Sequence, residues 1–389
     1  MSDTTVTALV GGSIHTGDQV IDGKALLLQG ERVQGIVALT EIPAAARQLD
    51  IGGHVLAPGF IDLQINGGGG VLFGADPAAD GIARIAAAHA AFGVTSWLPT
   101  LITSSTAAMA AARAAVVRSL QGGGQDGILG IHFEGPWLNP ARKGVHPPAW
   151  LRRPAAADID LLAPGEGAVT LVTLAPEQVA AGFIAGLRRR GIRIAAGHTE
   201  ADEAHLAAAR AEGLDLYTHL FNAMTPPQAR APGVVGAALA DPEAYCSIIV
   251  DGFHVHYANV AIAWRCKPPG RLLLVSDAMP PVGSADESFL LDGAPVLVRG
   301  GRCTTADGTL AGSAVGLATA VANCVRHVGI PLAEALRMAS TYVADYLGLG
   351  DRLGRIRPGY RADLVVLDAG LRTVATFRRG MPIFGAPWA

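Results

Sequence analysis

Four residues capable of metal binding or proton transfer each follow a short apolar run of the chain. They are Glu134, His198, His219 and Asp277, and the runs that precede them lie at 127–133, 192–197, 214–218 and 272–276. Runs of this length and composition are typical of buried β-strands. One carboxylate and two imidazoles with a fourth position left open form the ligand set of a catalytic zinc site, and a further aspartate can act as the base. The pattern therefore favours a catalytic metal centre.

Each of these residues taken alone has a simpler interpretation. A carboxylate at the end of a buried strand, such as Glu134, is costly unless it is paired, and a structural salt bridge would satisfy it. A single histidine in such a place is more often a hydrogen-bonded core residue. The repetition at four strand ends favours the metal site, because the strand ends of a parallel barrel converge on one face.

The elements that must position these residues alternate regularly from Val55 onward. Each strand-like run is followed by an alanine-rich helical segment, and these segments lie at 77–92, 105–119, 177–190, 200–212, 256–264 and 314–328. Strands that alternate with helices indicate a parallel sheet, and about eight such units in this length indicate a closed barrel. The sequence thus predicts an α/β fold, a (β/α)8 TIM-like barrel. A β-type excursion at 280–311 is predicted to be a hairpin inserted before the last barrel units.

Composition restricts the partners and the compartment. Half of the residues are apolar, 16% are charged and the net charge is −3, which suits a globular enzyme and gives no indication of a nucleic-acid-binding surface. We expect no membrane partner and no signal peptide, because charges interrupt the apolar stretches and the N-terminus has no basic segment leading into an apolar one. The four cysteines show no C-x-x-C spacing and are expected to be reduced thiols of a cytoplasmic protein.

Six motifs carry a resemblance to a known family. In chain order they read PGFID, HFEGPWLNPARKGVHP, GHT, THLFNAM, DGFHV and VSDA. Together they resemble the N-acetylglucosamine-6-phosphate deacetylases, a group within the amidohydrolase superfamily. The likeness runs from about Leu56 to Asp363. EGPW with KGVHP, and THLFNAM, are specific to that group, whereas PGFID and the closing G-x-I-x-P-G segment are signals of the superfamily.

The resemblance implies a domain organisation and an activity. Strand-like runs occupy 6–53 and the C-terminal region, and in the superfamily both chain ends form one small β-sandwich. We therefore expect a small domain at 1–54 plus 355–389 and a barrel at 55–354. The implied reaction is metal-dependent hydrolysis of the acetamide of N-acetyl-D-glucosamine 6-phosphate to D-glucosamine 6-phosphate and acetate, a step of amino-sugar catabolism or recycling.

The resemblance also implies roles at the metal centre. Glu134, His198 and His219 would hold one divalent ion, zinc in the first place, with iron, cobalt and manganese as alternatives. Asp277 would take a proton from water and give it to the departing amine. His146 would polarise the amide carbonyl; the alternative for His146 is an exposed loop histidine.

Further residues are expected to bind an amino-sugar phosphate. The predicted set is Val145 beside the sugar, Asn222, Ala223 and Arg230 at the phosphate, His254 at the sugar or phosphate, and a closing loop of Leu310, Ala311 and Gly312. In the resembled enzymes the arginine comes from the neighbouring subunit, which implies a homodimer. Alternatively, Arg230 is a solvated surface charge.

Gln64 and Asn66 occupy the two positions at which many amidohydrolases carry the histidines of a second metal site. Both side chains should face the site, because strand residues two apart point the same way. Amide oxygens bind borderline ions less well than imidazole does. We therefore expect a vacant second-metal position.

Two other functions remain open at this stage. A deacetylase of N-acetylgalactosamine 6-phosphate, or another amidohydrolase, would carry the same metal ligands, and the sequence does not separate epimers. An inactive barrel serving as a scaffold usually loses its ligands, whereas all four are present here.

Overall fold

The computed structural model describes residues 5–165 and 167–385. These residues divide into two compact units. One contains the described residues up to Asp62, the segment Ala86–Ser96 and the described residues from Gly316 onward. The other contains Leu63–Ile85 and Trp97–Val315.

Eight strands form one sheet in which sequence neighbours are also hydrogen-bonded neighbours. They are β1 (Phe60–Ile65), β2 (Val94–Ile102), β3 (Gly130–Glu134), β4 (Val169–Leu174), β5 (Arg193–Ala196), β6 (Leu216–Tyr217), β7 (Tyr245–Ile248) and β8 (Leu272–Leu274). From β2 to β8 all pairs are parallel. A parallel bridge between Ile65 and Ala278 joins the end of β1 to the segment after β8. The predicted α/β barrel is confirmed.

The helices agree in part with the sequence prediction. They are α1 (Ala79–Ala90), α2 (Thr106–Gln121), α3 (Ala156–Leu161), α4 (Phe183–Arg189), α5 (Glu203–Glu212), α6 (Gly233–Ala240), α7 (Tyr257–Cys266), α8 (Leu317–Asn323), α9 (Leu332–Ala339) and α10 (Thr341–Leu347). A π-helix, Cys324–Val328, continues α8, and short 3-10 helices lie at Leu39–Glu41, Pro140–Arg142, Pro148–Trp150 and Pro176–Gln178. The helices α3, α6, α9 and α10 were not predicted. Within the described part of the chain, none of the helices has the length and apolarity needed to cross a membrane.

Two further sheets are built from the chain ends. A four-stranded sheet contains Arg32–Ala38, Lys24–Gln29, Val6–Val10 and Arg47–Asp50. A six-stranded sheet contains Met381–Phe384, Thr373–Arg378, Leu364–Leu367, Val55–Pro58, Ser13–His15 and Val20–Ile21. Buried residues from both termini, among them Leu9, Leu26, Leu364 and Phe377, share one core. The predicted small β domain built from both chain ends is confirmed, whereas its boundaries at 54/55 and 354/355 stay a prediction.

A four-stranded antiparallel sheet follows β8 in the chain. Its strands are Ser288–Leu291, Ala294–Arg299, Arg302–Thr304 and Leu310–Ser313. Leu291, Val296 and Cys303 are buried within it and pack in one cluster with Met279 and Ala311. The β-type excursion predicted at 280–311 is thus present, but it has four strands where a hairpin was expected, and it follows the last barrel strand. A two-stranded pair, Gly67–Gly68 with Val71–Leu72, follows β1.

Candidate active site

Glu134, His198 and His219 converge at the C-terminal ends of the barrel strands. Glu134 is the last residue of β3, and the two histidines follow β5 and β6 by two residues. Oε1 of Glu134 lies 2.8 Å from Nε2 of His219 and 3.2 Å from Nε2 of His198, and the two Nε2 atoms are 3.1 Å apart. All three residues are buried. Ligand atoms bound to a tetrahedral zinc ion lie roughly 3.3 Å from one another, so this cluster has the spacing and donor chemistry of a metal site.

The backbone at three strand ends is held in the left-handed region. The φ angles of His198, His219 and Asp277 are 50°, 36° and 50°. Residues with a Cβ adopt this region rarely and at a cost, and such conformations concentrate at functional sites. The chain thus turns sharply where each apolar strand stops.

The proton positions on His198 follow from its partners. Its Nδ1 lies 2.7 Å from the carbonyl oxygen of Arg142. A carbonyl oxygen only accepts, so Nδ1 must carry the proton, and in the neutral ring Nε2 then presents its lone pair to the cluster. Hydrogen bonding of the outer ring nitrogen to a carbonyl is the usual way in which a metal-binding histidine is oriented.

Glu134 and His219 shift each other's pKa values in opposite directions. Burial alone would raise the pKa of Glu134, but the neighbouring imidazoles of His198, His219 and His146 lower it well below the ordinary value. Burial opposes protonation of His219, yet the hydrogen bond and the charge of Glu134 raise its pKa above 6.5. Without a metal, the cluster therefore holds a carboxylate beside an imidazole that readily takes a proton.

Asp277 is tied to the cluster through two amides. Nδ2 of Asn66 donates to Oδ1 of Asp277 at 2.6 Å, and Nε2 of Gln64 donates to the same oxygen at 3.1 Å. The Gln64 amide also donates to Oε1 of Glu134 at 3.2 Å. Burial, followed by the negative charge of Glu134, raises the pKa of Asp277 to about 6.

His146 lies beside the other carboxylate oxygen of Glu134, with its Nε2 3.8 Å from Oε2. Its Nδ1 contacts the hydroxyl of Thr103 at 2.8 Å and the backbone N–H of Thr103 at 3.3 Å. A backbone N–H can only donate, so these contacts favour the tautomer that carries its proton on Nε2. Burial and the neighbouring His198 lower the pKa of His146 to about 3, which keeps the ring neutral.

A glycine allows Thr103 to approach this closely. Gly135, directly after Glu134, has a φ of 87°. A Cβ at this position would lie 2.3 Å from Oγ1 of Thr103. Any other residue at 135 would strain the backbone and displace the threonine that holds His146.

A cavity of about 360 Å³ opens onto the four strand-end residues. The predicted substrate residues Val145, Asn222, Ala223, His254, Leu310 and Gly312 line this cavity, as do Asn66 and His146. Ala311 is fully buried and packs with the core of the inserted sheet. Arg230 is exposed and lines a different cavity, with Glu200 and Asp202.

Sequence reasoning missed several residues around the cavity. Thr103 follows the apolar run of β2, so the strand-end pattern that found Glu134 would also have found it. Ile102, Met279 and Leu291 line the cavity as apolar residues, and no pattern in the sequence distinguishes them from the core. His132, two residues before Glu134 on β3, is a buried histidine whose ring nitrogens contact the hydroxyls of Thr173 at 2.8 Å and Thr100 at 3.3 Å.

Comparison with known proteins identifies the family. The model of the amidohydrolase family matches residues 55–384. The chain belongs to the amidohydrolase family. A second model, the NagA composite domain, matches residues 7–56. Members of this family are metal-dependent hydrolases, in agreement with the Glu134, His198 and His219 cluster.

Individual relatives cover nearly the whole chain. The N-acetylglucosamine-6-phosphate deacetylase of Haemophilus influenzae is 34% identical over 96% of this chain and 98% of its own. The N-acetylgalactosamine-6-phosphate deacetylase of a Shewanella species is 39% identical over 86% of this chain and 84% of its own. The crystal structure of N-acetylglucosamine-6-phosphate deacetylase from Pasteurella multocida superposes with a TM-score of 0.94 at 36% identity, and the match covers 97% of this chain and 99% of that one.

Proposed function

We propose that this amidohydrolase removes the acetyl group from N-acetyl-D-glucosamine 6-phosphate, giving D-glucosamine 6-phosphate and acetate. The observation that carries the proposal is the convergence of Glu134, His198 and His219, with Asp277 and His146 beside them, in one cavity. The relatives from Haemophilus and Pasteurella, which match almost end to end, supply the substrate class.

The three-residue cluster fits one divalent metal ion. One carboxylate oxygen and two Nε2 atoms converge, and the outer nitrogen of His198 is already satisfied by a carbonyl. This donor set suits zinc best, with iron, cobalt and manganese as the other candidates. A bound ion of this kind supplies a Lewis acid that polarises the amide carbonyl and brings the pKa of a water molecule toward roughly 7.

The reaction requires one proton transfer in each direction. Asp277 accepts a proton as water attacks the carbonyl carbon, and it returns that proton to the nitrogen as the C–N bond breaks. Gln64 and Asn66 hold its carboxylate in place through the 3.1 Å and 2.6 Å hydrogen bonds. His146, neutral and protonated on Nε2, donates toward the carbonyl oxygen as negative charge develops there.

The orientation of the two amides supports a single-metal site. Both NH2 groups donate to carboxylates of the cluster. The carbonyl oxygen of Asn66 is buried and has no hydrogen-bond partner among the described residues. Because both amides present NH2 groups to these carboxylates, we infer one metal ion per chain.

The phosphate end of the substrate is assigned to the far side of the cavity. Asn222 and Ala223 lie directly after the His219 turn, where Phe221 and Ala223 have positive φ angles of 81° and 51°. Backbone N–H groups in such turns form concave anion sites. Nδ1 of His254 is held by Asp251 at 2.6 Å, which fixes its ring against this end of the cavity.

Arg230 is proposed to act on the phosphate of a neighbouring subunit in a homodimer. Its place in this chain, exposed and away from the catalytic cavity, is compatible with that role. Leu310 and Gly312 lie on a strand of the inserted sheet and not on the closing loop that was expected, and they are proposed to contact the bound sugar from that strand, with Val145 beside it. The four free cysteines support a reducing, cytoplasmic setting for the enzyme.

A second substrate deserves a parallel assay, because the Shewanella relative that acts on N-acetylgalactosamine 6-phosphate is 39% identical. Acetate release should be measured with both N-acetylhexosamine 6-phosphates and with both unphosphorylated sugars. The proposal predicts the highest kcat/KM for N-acetylglucosamine 6-phosphate and a large loss without phosphate. A higher kcat/KM for N-acetylgalactosamine 6-phosphate would make that compound the substrate in place of its epimer. If none of the four sugars releases acetate, the proposed activity is wrong. Glu134→Gln serves as the inactive control.

A further inference from the structure

A second cavity adjoins the catalytic one. Its volume is about 320 Å³, and much of its wall is apolar, with Leu72, Leu101, Trp150 and Leu290 among the lining residues. Asn66, Ile102, Met279 and Leu291 line both cavities. We call the second cavity the annex. The two spaces therefore share part of their walls.

The annex lies at the end of the catalytic cavity where the acyl carbon must react. Thr103 lines the annex, and its hydroxyl is 2.8 Å from Nδ1 of His146. Asn66 lines it as well and donates to Asp277 at 2.6 Å. In contrast, neither Asn222 nor Ala223, at the assigned phosphate end, lines the annex. A substituent on the acyl carbon therefore points toward the annex when the sugar phosphate points away from it.

The chemistry of the annex suits a hydrocarbon chain. Two large apolar side chains at its edge are open to solvent, Trp150 with 47% and Leu290 with 66% of its surface exposed. Exposed apolar residues that border a concave, largely apolar space are characteristic of ligand sites. Met279, which lines both cavities, is unbranched, and side chains of this kind adapt their shape to a ligand more readily than branched ones.

We propose that the annex receives the hydrocarbon part of N-acyl groups longer than acetyl, so that the enzyme also deacylates N-butyryl and N-hexanoyl hexosamine 6-phosphates. The inference rests on the proposed function, because the same water attack and C–N cleavage release the longer carboxylate. Burial of each additional methylene in an apolar site favours binding by about fourfold. The binding free energy gained by burying these methylenes therefore offsets the cost of moving side chains of the shared wall.

The test compares N-acetyl, N-butyryl and N-hexanoyl glucosamine 6-phosphate as substrates of the metal-loaded enzyme. We expect kcat/KM for the butyryl compound to lie within about tenfold of that for the acetyl compound. A pocket closed behind the acetyl group would instead lower kcat/KM by about 10- to 200-fold for each added methylene. Ala75 lines the annex and not the catalytic cavity. Ala75→Phe should lower hydrolysis of the longer substrates at least tenfold and leave the acetyl substrate unchanged, whereas Ala75→Ser should change neither.

The outcomes separate this inference from the function on which it rests. Hydrolysis of the acetyl compound alone, or longer substrates that respond equally to Ala75→Phe and Ala75→Ser, would overturn the annex assignment and leave the deacetylase intact. A benzyl glycoside of N-acetylglucosamine 6-phosphate provides the remaining comparison. If Ala75→Phe impairs hydrolysis of that glycoside and not of the N-hexanoyl compound, the annex holds the anomeric substituent and the inference is wrong. Failure to hydrolyse any of the compounds would refute the proposed function itself.

Discussion

Nδ2 of Asn66 lies 2.6 Å from Oδ1 of Asp277, and this hydrogen bond joins the end of the first barrel strand to the turn after the last. Because of this contact, an amide at position 66 acts on the Asp277 carboxylate, whereas a histidine at the same position could bind a metal ion. The NH2 group orients the carboxylate and offers no lone pair to an ion. In the proposed mechanism, the amide at position 66 supports the base and does not hold a second ion.

Asp277→Asn should yield a folded protein that keeps its metal and loses turnover. The new side-chain carbonyl can still accept the hydrogen bonds of Gln64 and Asn66, so the turn is retained. An amide cannot take the proton, and loss of a general base typically costs about 100- to 10,000-fold in kcat. Metal content and circular dichroism provide the controls. Near-normal activity in the metal-loaded variant would rule out Asp277 as the base.

Thr103→Val should lower kcat by about two- to tenfold with little change in KM, because one neutral hydrogen bond to Nδ1 of His146 is removed. The backbone N–H at 3.3 Å remains to hold the ring, so the effect is limited. Thr103→Ser retains the hydroxyl and is the matched control. A valine variant as active as the wild type, or a serine variant that loses as much activity as the valine variant, would contradict the role of the hydroxyl.

Arg230→Ala and Asp277→Asn should each be inactive alone and partly active when mixed. If Arg230 acts across a dimer, one site of each heterodimer contains both an intact Asp277 and the partner's intact arginine. Activity should therefore return after mild dissociation and reassociation. Mixing that restores nothing, or a wild-type protein that is fully active as a monomer, would contradict the proposed dimer.

Metal affinity should fall as the pH is lowered, because the metal competes with a proton. Pairing with Glu134 raises the pKa of His219 above 6.5 in the metal-free protein, so the ring holds a proton below that raised value and must release it on metal binding. The apparent affinity should then decrease by up to about tenfold per pH unit below that value. Isothermal titration in buffers of different ionisation enthalpy measures the proton release, and an affinity equal at pH 6 and pH 8 would contradict this account.

The three candidate metal ligands could be predicted from the sequence because their pattern depends only on residue type and on position after an apolar run. Glu134, His198 and His219 each stand where an apolar run stops, and a parallel barrel brings such positions together. The role of Thr103 depends on a contact across 43 positions of the chain, which no local pattern encodes. The helix α6 was missed because its sequence, GVVGAALA, is apolar on all sides and has no helical periodicity.

A single metal ion per chain should be sufficient and necessary for amide hydrolysis by this enzyme. Zinc should be added stepwise to protein freed of metal by dialysis, and acetate release from N-acetyl-D-glucosamine 6-phosphate should be followed at each addition. We predict that activity is absent at the start, rises in proportion to the zinc added and stops rising at one equivalent per chain. A rise that continues to two equivalents, or no acetate at any loading, would contradict it.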